Sequence, residues 1–250
     1  MQASPPHIRF YRVVRVVTHV LYGLTVSTFI LGRLNHKRRN IVISRWSKQL
    51  LNILNVQIKI AGRSPSEQTS HTMFVANHVS WLDIHALNSI KPVRFIAKAE
   101  VARWPIFGWL AKQANTLFIE RTHKKDTLRV NNQASESLRN GDCFCYFPEG
   151  TTTDGTYLMP FKPSLMQAAI DADAIVWPFT ILYPKPDGSP NVMMAFAGET
   201  TLIESIWQII SLKQSFVEIC FLENIKTNND NRRALTNKIY DAVTKQLKLN

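Results

Sequence analysis

Apolar and polar positions divide the chain into two kinds of pattern. Up to residue 54 the period is helical. Residues 8–34 form one long stretch with an apolar run from Val16 to Leu31, and residues 40–54 place Ile41, Trp46, Leu50, Leu51 and Leu54 near one face. From Val56 the pattern changes. Val56 to Ile60 alternates, as a strand with one wet face does. Apolar bursts then recur at 73–76, 93–97, 116–119, 143–147, 174–182, 192–197 and 216–222. Helical stretches at 125–139, 163–171, 201–210 and 231–248 lie between several of them. Strands alternating with helices predict an α/β fold, a mostly parallel or mixed central sheet flanked by helices. No Pro/Gly-rich linker divides 55–250, so that region reads as one domain and 1–54 as a helical attachment to it.

Charge changes the picture of the attachment. The chain carries a formal net charge of +12, and residues 1–64 hold eleven Lys and Arg with no Asp or Glu. The remainder is close to neutral, with nineteen basic against eighteen acidic residues. Basic residues suit nucleic acid or an anionic bilayer equally. Here they bracket an apolar run that a nucleic-acid module has no reason to carry, so the expected partner is an anionic membrane surface, with no nucleic acid. Val16 to Leu31 is sixteen residues and includes His19, short of the roughly 20 that span a bilayer. A membrane-associating helical pair is the expectation, its first helix lying in the interface or dipping into one leaflet, with a buried core helix as the competing reading.

Cysteine usage points inward. Cys143 and Cys145 lie two apart in an apolar run, so a strand would turn both to one face, and Cys220 falls in another run. They read as small core residues in a reducing compartment. No His/Cys/Asp cluster has ligand spacing, and His85 reads as a helix-surface residue, so neither metal nor cofactor is expected.

Three segments carry candidate chemistry. Asn77 to Asp83 follows an apolar burst, where α/β sheets carry their sites. His78 and Asp83 would lie about 140° apart on one continuous helix. A strand ending at Asn77, a turn at His78 and a helix beginning near Ser80 would bring them together. The pair then suits general base catalysis, with a neutral imidazole taking a hydroxyl proton while the carboxylate fixes its tautomer. A structural histidine is the competing reading. The second segment, Phe147-Pro148-Glu149-Gly150-Thr151-Thr152, is a turn dense in hydroxyls and backbone N–H groups, fit for a phosphate or for plain solvent exposure. The third, Leu117 to Arg121, ends an apolar run in Glu120 and Arg121; the guanidinium suits a phosphate or a local carboxylate.

In this order and at these separations, the segments resemble the glycerolipid acyltransferase superfamily, and within it the lysophosphatidate acyltransferases. His78 and Asp83 match its His, four residues and Asp; Phe118-Ile119-Glu120-Arg121 matches its second block; Phe147 to Thr151 matches its third; Ala174 to Pro178 resembles its fourth. Phe161-Lys162 lies where the family carries Phe-Lys, and the resemblance spans about 46 to 182. Three positions depart from it: Asn115 where Gly is common, Thr152 where many members have Arg, and Ser164, after Pro163, where Gly is usual.

The resemblance implies a catalytic domain over 55–250 that moves a fatty acyl group from acyl-CoA or acyl-carrier protein to the free hydroxyl of lysophosphatidate, giving phosphatidate. His78 is implied as base and Asp83 as its orienting partner. Arg121, Glu149, Gly150, Thr151 and Lys162 are implied to bind the acceptor. The donors are co-substrates, not cofactors. The expected location is the cytoplasmic face of the inner membrane. Another acceptor, such as lyso-ornithine lipid, and a non-catalytic membrane-surface protein are the alternatives.

Overall fold

The computed structural model describes residues 3–120, 123–227 and 231–248. Eight strands form one sheet: β1 (Val56–Gly62), β2 (Thr72–Ala76), β3 (Arg94–Lys98), β4 (Leu117–Ile119), β5 (Cys143–Tyr146), β6 (Ile175–Leu182), β7 (Ser215–Phe221) and β8 (Ile225–Lys226). Their order is β1-β7-β6-β2-β5-β3-β4, with β8 also paired to β6. From β6 through β2, β5 and β3 to β4 every pairing is parallel. β7 and β8 run antiparallel to β6, and β1 is parallel to β7. The expected mixed, mostly parallel sheet is therefore present.

Helices cover both faces, and the alternation of side chains along each strand decides which core each residue joins. On β2, Phe74 and Ala76 enter a core with α2 (His36–Ile53), α3 (Leu82–Ile90) and α7 (Leu202–Ser211). Met73 and Val75 enter the opposite core with α5 (Lys124–Arg139), α6 (Met166–Asp171) and α8 (Arg232–Leu247). Cys143 and Cys145 share the first core while Phe144 and Tyr146 share the second, as the two-residue spacing requires. Both faces of β2 being buried accounts for its unbroken apolar sequence.

Two expectations change on inspection. The apolar burst 192–197 joins no strand. Val192–Met194 is a single 3-10 turn with Val192 and Met193 exposed, and Phe196 donates its N–H to the Val79 carbonyl at 2.9 Å, so this arm folds back over the segment following β2. Ile41 is exposed, although Leu50, Leu51 and Leu54 of the same helical stretch are buried.

The first helix, α1 (Pro6–Phe29), extends past the apolar run at its N-terminal end, and Pro6–Arg33 is 28 residues, long and apolar enough to cross a membrane by length and composition. Its two faces differ. Phe10, Val14, Val17 and Leu21 are exposed, whereas Arg12, His19, Gly23 and Val26 are buried against the protein. Arg12 donates to the carbonyls of Ile210, Leu212 and Lys213 at 3.0, 2.6 and 2.9 Å, groups that the end of α7 leaves without helical partners. A guanidinium at a helix C-terminus is also favoured by the helix dipole. Gly23 lets α2 approach. A Cβ there would sit 2.6 Å from the Trp46 indole nitrogen, and Trp46 stacks on His19 with ring centres 4.6 Å apart.

Candidate active site

The site lies at the carboxyl edge of three neighbouring parallel strands. β2 leads to His78, β5 to Glu149 and β6 to Tyr183. Asn77 continues the ladder with its side chain after β2 ends. Its amide oxygen accepts the Ile181 N–H and its NH2 donates to the Ile181 carbonyl, both at 2.8 Å. This bracket fixes the point where the chain leaves the sheet, immediately before His78.

The turn and helix predicted after Asn77 are present. α3 begins at Leu82, which brings Asp83 back under the loop. His78 Nδ1 lies 2.7 Å from Asp83 Oδ2, and the same oxygen accepts the N–H groups of Val79 and Ser80 at 2.8 and 3.0 Å. Tyr183 donates its hydroxyl to Oδ1 at 2.6 Å. Asp83 has no exposed surface, so these four donors replace water around a buried carboxylate. With Nδ1 donating, His78 keeps the Nε2 lone pair free to accept a proton. The ring is one-fifth exposed and lies flat on Phe147, with centres 4.0 Å apart and planes within 5°.

The turn after β5 holds the His78 backbone on both sides. Glu149 Oε1 accepts the His78 N–H at 2.7 Å, and the His78 carbonyl accepts the Thr153 N–H at 2.9 Å. Glu149 Oε2 accepts the Met159 N–H at 2.9 Å, so both carboxylate oxygens are bound to backbone within the protein. Burial pushes the Glu149 carboxyl up from 4.5 to about 7, against the opposing pull of its two amide donors and His78. Gly150 supplies the turn with a backbone φ of 78°, which a side chain would disfavour.

Residues expected to meet the acceptor are distributed around this centre. Glu149 sits beneath His78. Gly150 and exposed Thr151 form the adjoining turn. Lys162 has an exposed side chain, while its backbone N–H donates to the Pro148 carbonyl at 2.9 Å and its carbonyl accepts the Tyr146 hydroxyl at 3.1 Å. Arg121 lies outside the described residues. Of the departures from the family pattern, Asn115 adopts φ 58°, a left-handed conformation that Asn tolerates in place of Gly. Thr152 donates its hydroxyl to the Phe196 carbonyl. Beside these loops is an open cleft of about 220 Å³ lined by Asp154, Met193, Ala197, Thr200 and Gln208 among others, with no Lys or Arg among the described residues of its lining.

His85 differs from its expected surface position. Half-buried between the rings of Trp46 and Trp81, it has no partner for Nδ1 among the described residues, and burial pushes its pKa down to about 4. Tyr183, 100 residues beyond Asp83, is the functional-site residue that no local motif signalled. Its one trace in the sequence is its place just after the fourth block's strand.

The Acyltransferase family model matches residues 57–182, which contain every one of these loops up to the end of β6. A lyso-ornithine lipid O-acyltransferase of Pseudomonas aeruginosa is 36% identical over 79% of this chain and 75% of its own. A 1-acyl-sn-glycerol-3-phosphate acyltransferase of Neisseria gonorrhoeae is 33% identical over 83% and 81%. Among solved structures, the 1-acyl-sn-glycerophosphate acyltransferase of Thermotoga maritima shares the fold, with a TM-score of 0.71 at 19% identity, covering 96% of this chain and 94% of that one. With the first, third and fourth family blocks meeting at one sheet edge and this match over half its length, the chain belongs to the Acyltransferase family.

Proposed function

We propose that this acyltransferase moves a fatty acyl group from acyl-CoA or acyl-carrier protein to the free hydroxyl of lysophosphatidate, at a membrane surface, giving phosphatidate. The observation that carries the reading is the His78–Asp83 pair, 2.7 Å apart at the carboxyl edge of the sheet with the imidazole edge open to solvent. His78 Nε2 takes the proton of the attacking hydroxyl as its oxygen bonds to the thioester carbonyl carbon. The tetrahedral intermediate then expels the thiolate, which recovers the proton from the imidazolium. Asp83 holds the tautomer and stabilises the imidazolium; a positioned base of this kind contributes roughly 10²–10⁴-fold. Phosphate recognition in this reading falls to Arg121 and Lys162, with the backbone of Gly150 and Thr151.

A second acceptor, lyso-ornithine lipid, is favoured by one observation. Among the described residues the cleft beside the His78 loop carries the carboxylate of Asp154 and no cation, and Thr152, standing where many members have Arg, is bonded to the Phe196 carbonyl. A carboxylate suits the free amino group of ornithine better than a phosphomonoester. The exposed apolar stripe of α1 supports membrane association, and its docked Arg12 favours a helix lying along the interface. The basic first quarter of the chain suits the anionic cytoplasmic leaflet. Purified protein in mixed micelles, given radiolabelled acyl-CoA or acyl-carrier protein and a panel of lysolipids, tests the assignment. Preferred labelling of lysophosphatidate upholds it. Preferred labelling of lyso-ornithine lipid moves the acceptor to the second reading, and label appearing only as free fatty acid refutes both.

A further inference from the structure

We propose that Tyr183 is a positioning residue of the acyl-transfer reaction, acting through Asp83 on His78. This rests on the reading of His78 as base. Tyr183 follows β6, the parallel neighbour of β2, so the sheet register carries its side chain to the same edge as His78 from 105 positions away in sequence. Its hydroxyl donates to Asp83 Oδ1 at 2.6 Å, while the other three donors, His78 Nδ1 and the N–H groups of Val79 and Ser80, converge on Oδ2. Oδ1 therefore depends on Tyr183 among the described residues. Without that bond one oxygen of a fully buried carboxylate has neither water nor protein donor, and its plane is held from one side only.

The main chain around Tyr183 is fixed as well. Its carbonyl accepts the Asn191 N–H at 2.7 Å, at the start of the arm whose Phe196 N–H bonds to the Val79 carbonyl. The hydroxyl thus reaches Asp83 from a braced backbone. Burial, and then the charge of Asp83, push the phenol's pKa far up, so it stays protonated and donates throughout the reaction. Tyr183 takes no proton from the dyad. What it controls is the basicity and aim of Asp83, and hence how readily His78 holds a proton. Sequence motifs could not indicate this, because Tyr183 lies beyond the last block and is identified only by the pairing of β2 with β6.

Tyr183→Phe keeps the buried ring and deletes the hydroxyl, with its bond to Asp83 and its contact with the Ser80 side chain. Other groups act on the pair: Glu149, from the turn after β5, on His78 and Asp83, and Cys145, from β5, facing Asp83. Glu149, raised to about 7, can shape an activity profile by itself, so the titration must be read on His78 directly. Protein labelled with 15N-histidine serves, its His78 signals identified by their loss in His78→Ala. A carboxylate relieved of one donor becomes a stronger acceptor and favours the imidazolium. The expected result is a kcat lowered about 10-fold at neutral pH, less than the loss of the base itself would give, with KM for donor and acceptor within twofold, and a His78 titration moved to higher pH. Site-specific 3-fluorotyrosine, a stronger donor of nearly the same size, should move it to lower pH and keeps the proposal testable if the Phe variant does not fold. A kcat within twofold of wild type in Tyr183→Phe, or a lower kcat with an unmoved His78 titration, overturns the proposal. Activity surviving in His78→Ala would instead overturn the base assignment on which it rests.

Discussion

The loop at His78 and the outer face of α1 are built on opposite principles. At the loop, every named polar group has its partner inside the protein. Asp83 takes four donors, Glu149 two, and the His78 N–H and carbonyl are both bonded across to the turn after β5. Only the outward edge of the imidazole is left open. On α1, Phe10, Val14, Val17 and Leu21 stand exposed in a helical stripe, and nothing among the described residues covers them. A site that must aim a proton acceptor to a fraction of an ångström is over-determined by its own hydrogen bonds. A surface that meets a fluid bilayer needs apolar area and no fixed register. Rigidity and exposure mark different tasks, and they show which residues tolerate change.

The sharpest break in the comparison is on the rigid side. Asp83→Ala removes the acceptor for His78 Nδ1, for two backbone N–H groups and for the Tyr183 hydroxyl. Turnover should fall by about 100-fold or more, and thermal stability should fall as well, because several buried donors lose their partner. Calorimetry and a labelled-acyl assay check both. Loss of stability with turnover within threefold of wild type would mean that Asp83 is structural only.

On the exposed side the effect is smaller and of another kind. Burying a Val or Leu side chain contributes about 1.5–3 kcal/mol, so Val17→Asn and Leu21→Asn should each weaken partitioning into anionic vesicles about 10-fold. The fold and turnover in detergent should not change. High salt should release only part of the wild-type protein, since apolar burial is not screened. Complete release by salt alone would remove the apolar half of the membrane reading.

Glu149 sharpens the contrast through pH. Its folded carboxyl titrates near 7 and its unfolded one near 4.5, so between those values the native state holds a proton that the unfolded state has lost. Stability is therefore expected to fall as pH rises from about 4.5 to about 7, and to be flat above. Melting temperatures across that range should show this slope in wild type and lack it in Glu149→Gln. An identical slope in both would mean that another group is responsible.

How much of this was legible in the sequence follows from distance along the chain. His78 and Asp83 lie five residues apart in one turn, so residue type and spacing were enough to pair them, and strand ends were readable from apolar bursts bounded by turn residues. The family resemblance implies Glu149 as an acceptor ligand. That both its oxygens meet backbone N–H groups depends on how the turns after β2 and β5 are stacked, which no local pattern encodes. Tyr183 and the Arg12 contacts with the end of α7 connect residues 100 to 201 positions apart and required the strand order itself. The burst 192–197 misled because apolar residues folded back over a loop look like a strand until their hydrogen-bond partners are known.

The central claim is that His78 removes the acceptor's proton. Single-turnover transfer of a labelled acyl chain, using the lysolipid that wild type accepts best, should be measured for wild type and His78→Ala alongside donor binding and circular dichroism. The account requires a rate at least about 100-fold lower, the scale set by a positioned base, with donor affinity and fold unchanged. A folded His78→Ala protein that keeps more than about a tenth of the wild-type rate would contradict it, since so small a loss is outside what removing such a base can give.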